Sequence, residues 1–140
     1  GEGSAYREGE RSMTVSPSLR AEVRRRASNR CEYCSLAQSS FPLVQFHVEH
    51  VIARQHGGAD EVDNLCLACH WCNLHKGPNI ASILSGEVVR LFNPRTDRWS
   101  DHFRVIEGVV EGLSEVGLVT ARFLNMNDPD RVALRMLTGD

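Results

Sequence analysis

The sequence predicts a small α+β fold, and three observations carry that prediction. Apolar residues recur at helical spacing near both ends of the chain and alternate in its middle. Gly, Pro, Asn and Asp punctuate the segments between. Two Cys-x-x-Cys pairs bracket the alternating stretch. The chain has 140 residues, 41% hydrophobic and 24% charged, which suits one domain with one modest core. A net charge of −2 argues against a surface coated for nucleic acid but leaves room for a local basic face. No apolar run is long enough to cross a bilayer and no signal-peptide core is present, so the sequence reads as that of an intracellular, cytoplasmic protein with no membrane partner.

Residues 1–14 are rich in Gly, Ser and charge, without periodicity, and are expected to be a disordered or vector-derived tail. Ser16 and Pro17 then offer an N-cap and a first helical residue for a helix over 18–28, with Leu19, Val23 and Ala27 as its apolar stripe. Arg20, Arg24, Arg25 and Arg26 make that helix basic. Residues 43–52 read as a bent strand or strand pair. Alternation there puts Glu49 and His50 on opposite sides, so the chain must bend for both to serve one site. Residues 54–58 form a turn, 60–63 an exposed acidic loop and 64–67 a short returning strand. A short helix at 73–76 stops at Gly77-Pro78. Beyond it the sequence predicts a helical turn at 81–84, a strand at 87–92 and a hairpin around Gly108. A helix capped by Ser114 and a last one after Asp128-Pro129, with Val132, Leu134 and Leu137 as its apolar positions, complete the chain. The expected organisation is a core over 15–80 and an extension over 81–140 packed on the same domain.

Cys31, Cys34, Cys69 and Cys72 are the strongest signal in the chain. Paired Cys-x-x-Cys knuckles without a secretory signal indicate a metal site, and four thiolates suit a closed tetrahedral zinc that is structural. The 34 residues between the pairs leave room for an inserted functional segment. Cys66, between two leucines, reads as a small buried thiol.

Glu49-His50 and Asn64-Leu65 lie between the knuckles, and the second knuckle runs on as Cys69-x-x-Cys72-Asn73-x-x-Lys76. This set resembles the HNH endonuclease family, in its zinc-bearing branch. The resemblance implies a ββα-metal core and hydrolysis of phosphodiester bonds in DNA, with RNA left open, in a bacterial or phage setting. It also implies His50 as general base and Glu49 and Asn73 as ligands of a catalytic Mg²⁺ or Mn²⁺. Asn64 becomes the residue that pins the loop orienting the base. Products would end in 5′-phosphate and 3′-hydroxyl.

The residue types suit that chemistry independently. Imidazole can deprotonate water near neutral pH, and oxygen donors suit a hard divalent ion that neutralises the phosphate transition state. Each residue also has a plainer reading: Asn73 as a helix cap, Asn64 as a turn residue, His47 as a cross-strand neighbour instead of a site residue. Arg24, Arg25, Arg26, Arg54, His56, His75 and Lys76 are the candidate nucleic-acid contacts. The competing function is a non-catalytic zinc-ribbon module that binds nucleic acid, which would have no need of the Glu49, His50 and Asn73 set. An apolar patch on the C-terminal extension would support a homodimer.

Overall fold

The computed structural model describes residues 15–137, and the predicted N-terminal tail lies outside them. Helix α1 (Pro17–Arg26) starts as the sequence predicts: the Ser16 side chain accepts a hydrogen bond from the Leu19 amide at 3.1 Å, and proline occupies the first turn. Its stripe buries Val23 completely. Ser28 and Asn29, both with φ near +55°, reverse the chain into the first knuckle.

The central unit is an antiparallel pair, β1 (His47–His50) and β2 (Leu65–Ala68), capped by helix α2 (His70–Lys76). In register, Glu49 faces Cys66 and His50 faces Leu65. Every residue of β2 is buried, whereas β1 is half-buried throughout, so β1 is the strand that can present side chains to solvent. The strand predicted over 43–52 is shorter because the chain bends at Val51 and Ile52.

Beyond the central unit come two hairpins and three helices. β3 (Ala81–Leu84) pairs with β4 (Glu87–Arg90), and β5 (Phe103–Ile106) pairs with β6 (Val109–Gly112). Segment 81–84 is thus a strand and not the predicted helical turn. Ser85 and Gly86 both take positive φ, and this two-residue turn closes a hairpin that the short polar-apolar run did not reveal. Helix α3 (Trp99–His102) is a single turn before β5. Helix α4 (Glu115–Phe123) is capped by Ser114, whose Oγ accepts from the Gly117 amide at 3.0 Å.

Helix α5 (Pro129–Leu137) departs from the sequence reading. Its buried residues are Arg131 and Arg135, both fully enclosed, while Leu137 is exposed. Arg135 donates to the Gly108 and Met126 carbonyls at 2.7 and 2.5 Å. Apolar periodicity missed this face because arginine can line a buried seam wherever backbone carbonyls converge on its fork.

One buried cluster runs from Val23 through Tyr33, Leu65 and Phe92 to Phe103 and Leu124. Phe92 meets Tyr33 and Phe103 edge-on, with ring centroids 6.4 and 5.3 Å apart. The Trp99 indole donates to the Tyr33 carbonyl at 2.9 Å, and Thr120 Oγ1 accepts from the Phe92 amide at 2.8 Å. These contacts set the extension directly behind the first knuckle.

Candidate active site and metal centre

The two knuckles share one local geometry. Cys31 Sγ accepts from the Cys34 amide, and Cys69 Sγ from the Cys72 amide, each at 3.4 Å. Glu32 anchors the first knuckle to β2: its amide donates to the Leu67 carbonyl and its carboxylate accepts from the Leu67 amide, both at 2.8 Å. Arg95 pairs with the other oxygen of that carboxylate. Cys69 is also the N-cap of α2, so the helix and the second knuckle are one construction.

These supports bring the four ligand sulfurs of Cys31, Cys34, Cys69 and Cys72 within 4.8 Å of one another, all buried. Cys34 and Cys69 sulfurs are 3.7 Å apart. Zinc–sulfur bonds of about 2.3 Å in a tetrahedron place sulfurs about 3.8 Å apart, so the donor set fits zinc in type, number and spacing. Burial pushes the Cys31 and Cys72 thiols well above their ordinary range, while hydrogen bonds from Cys31, Cys69 and Cys72 hold Cys34 well below it. A buried cluster of that kind shares one negative charge with ease; a dication lets all four sulfurs ionise. Cys66 stands apart: it is fully buried, donates to the Tyr33 hydroxyl at 3.8 Å, and burial pushes its thiol up to about 12.

Beside β1 and α2 lies a shallow cleft of about 290 Å³, lined by Glu49, His50, Arg54 and Asn73 among others. The strand end supplies Glu49 and His50 together, because the bend at Val51 lets neighbours with opposed side chains border one space. The Asn73 side-chain amide sits 3.2 Å from Glu49 Oε2 and 3.3 Å from Oε1. With its NH₂ toward the carboxylate it donates at these distances; with its oxygen there, the two groups repel unless a cation lies between them. Burial raises the Glu49 carboxyl from its ordinary range, opposed by the charges of His47, His50, Lys76 and Arg20.

Asn64 fastens the loop that follows His50. Its Oδ1 accepts from the Ile52 amide, and its Nδ2 donates to the Ile52 and Ala59 carbonyls, all at 2.9 Å. Its carbonyl accepts from the Val51 amide at 2.8 Å. Gly58 is pressed into the same fold of chain, where a Cβ would lie 1.7 Å from the Ile52 carbonyl oxygen. Lys76 is buried and donates to the Val51 carbonyl at 3.0 Å, bracing the strand end from the helix side.

Residues 31–79 match the family model for HNH endonuclease. Comparison with curated proteins and with solved structures returns no match. The HNH segment therefore holds both knuckles, the β1–β2 pair, the cleft and α2, and its four-cysteine cluster fits the zinc-bearing branch of that family.

Within the HNH segment the structure brings Glu49, His50 and Asn73 to one cleft and places Asn64 behind it as a loop fastener. It also supplies a residue the sequence reading passed over. His50 Nε2 lies 2.5 Å from Asp60 Oδ1, and Arg54 Nε donates to the same oxygen at 2.8 Å. The Arg54 hydrogen bond, and after it that of His50, hold the Asp60 carboxyl below its usual range. An ionised carboxylate only accepts, so His50 donates from Nε2 and its Nδ1 is the basic nitrogen. The only sequence signal was a carboxylate in the acidic loop after Gly57-Gly58, and nothing in the pattern distinguished Asp60 from Asp63.

Of the predicted nucleic-acid contacts, Arg24 donates to the Phe46 carbonyl at 2.8 Å and Arg26 to the Val62 and Leu65 carbonyls at 2.9 and 2.5 Å. With Lys76, these three bind elements together. Arg25 is exposed and pairs with Glu22 at 2.5 Å, and His56 and His75 are exposed. His47 points a buried Nε2 that has no partner among the described residues. No helix among the described residues is long and apolar enough to cross a membrane.

Proposed function

We propose that this chain is a metal-dependent endonuclease that hydrolyses phosphodiester bonds in DNA. The observation that carries the reading is the shared cleft: a carboxylate and an amide at 3.2 Å from each other, beside a histidine whose tautomer is fixed by Asp60. Glu49 and Asn73 are the residues that would hold Mg²⁺ or Mn²⁺, as two oxygen ligands that leave other positions to water and phosphate. That ion, when bound, supplies charge neutralisation at the phosphate and at the departing 3′-oxygen.

The chain's own residues do the rest. His50 accepts a proton from the attacking water at Nδ1 while Asp60 keeps the Nε2 proton in place and steadies the imidazolium that forms. Asn64 and Lys76 hold the strand end so that His50 does not drift from the Glu49–Asn73 pair. Arg25, His56 and His75 are exposed and are the groups this reading offers to phosphates of the substrate.

The test is plasmid nicking by zinc-loaded protein with Mg²⁺, with Mn²⁺ and with EDTA, beside His50→Ala. Metal-dependent nicking that is lost in a folded His50→Ala protein supports the reading. DNA binding without cleavage under all three conditions would replace it with the zinc-ribbon binding module.

A further inference from the structure

Arg131 lies in α5, far beyond the HNH segment in sequence, and its side chain is fully buried. Its Nη1 donates to Cys72 Sγ at 3.2 Å and to Cys69 Sγ at 3.6 Å. Its Nη2 donates to the Leu124 carbonyl. The guanidinium carbon stands 5.9 Å from the centroid of Trp71, the residue just before Cys72. Among the described residues no carboxylate pairs with it.

A guanidinium withdrawn from water needs a counter-charge. Among the described residues, the anionic partners its hydrogen bonds reach are the cysteine sulfurs. Four thiolates around a dication carry a net charge of about −2, and one buried guanidinium halves it. Donation of N–H to a metal-bound sulfur also lowers the electron density with which that sulfur attacks electrophiles. We propose that Arg131 is the charge partner of the cysteine metal centre, shielding the Cys69 and Cys72 sulfurs from chemical attack and tying α5 to the metal. This rests on the donor set holding zinc and is independent of the nuclease reading.

The experiment uses the full chain, zinc-loaded and of matched zinc content, treated with excess iodoacetamide. A metal-bound sulfur attacks the reagent carbon, the S–C bond forms as the C–I bond breaks, iodide leaves and the thioether releases zinc. Release is followed with a chromogenic chelator. Arg131→Met is compared with Arg135→Met, which removes the neighbouring buried arginine whose bonds run to Gly108, Met126 and Asn127. Loss of a hydrogen bond to a charged group predicts release roughly tenfold faster in Arg131→Met than in wild type, with Arg135→Met well below that. Equal rates in the two variants, or a wild-type rate in Arg131→Met, would overturn the proposal by reducing Arg131 to helix docking. If Arg131→Met does not fold, the pair Arg131→Lys and Arg135→Lys decides the same point. A lysine keeps the charge but not the fork, so release several-fold faster at position 131 alone supports the proposal and equal rates overturn it.

Discussion

The two donor clusters of this molecule meet on one short helix and are built by opposite rules. The cysteine cluster is sealed: its sulfurs are buried, the two knuckles repeat the same turn, and Arg131 closes it from behind. The cleft is open: Glu49, His50 and Asn73 are all half-buried. A saturated sulfur site holds structure and does no chemistry, whereas hard oxygen and imidazole groups left in reach of water can act on a substrate. Cys69 caps the helix that carries Asn73, so the sealed cluster sets the position of the open one.

The largest effect that would break this contrast is expected at the sealed side. Cys72→Ser should reduce zinc content to near zero and abolish cooperative unfolding, since structural zinc contributes about 10–16 kcal/mol in comparable small sites. A folded, zinc-free variant with an intact cleft would mean the clusters are independent. His50→Ala comes next: cleavage should fall roughly 10²–10⁴-fold while zinc content and Tm stay near wild type. A matching loss of zinc would show that the open side also holds the sealed one.

Asp60→Asn sharpens the comparison at the support of the base. Cleavage should fall roughly 10–100-fold while zinc content stays near wild type. Its stability effect has a defined sign. The Asp60 carboxyl titrates below its usual value in the folded chain, so the pair's contribution is complete above about pH 3.9 and fades as pH falls through the folded value. Thermal melts of wild type and Asp60→Asn should therefore differ near neutrality and converge in acid. The difference is small and salt-sensitive because Asp60 is a third exposed. The smallest effect is expected for Arg25→Glu: DNA affinity weaker by a few-fold and the salt slope reduced by about one, read from binding titrations at several salt concentrations. Unchanged binding would leave the cleft without an extended phosphate track along α1.

Much of the candidate site was legible because the chemistry it is read for fixes its spacing. Cys31, Cys34, Cys69 and Cys72 had to approach one point, and Glu49, His50, Asn64 and Asn73 fell into a recognisable order around them. Helices with caps were legible too, at Ser16 and Ser114. What escaped was decided by three-dimensional convergence. Asp60 becomes the His50 partner only once Asn64 folds the loop back. Arg131 and Arg135 are buried because carbonyls and sulfurs happen to meet their forks, and no periodicity marks such a place. Segment 81–84 is a strand because β4 pairs with it, a tertiary reason that its own residues do not announce.

The fate of the five sulfurs has a practical side. Cys66 is enclosed and resists ionisation to about pH 12, and the other four face one another in a sealed cluster. Native thiols should thus react slowly with a maleimide dye at neutral pH while zinc is held. A single cysteine placed at exposed Ser100 would take the label first in a brief reaction. Wild-type background can then serve directly for fluorescence work, with no need to strip the chain of its clustered cysteines.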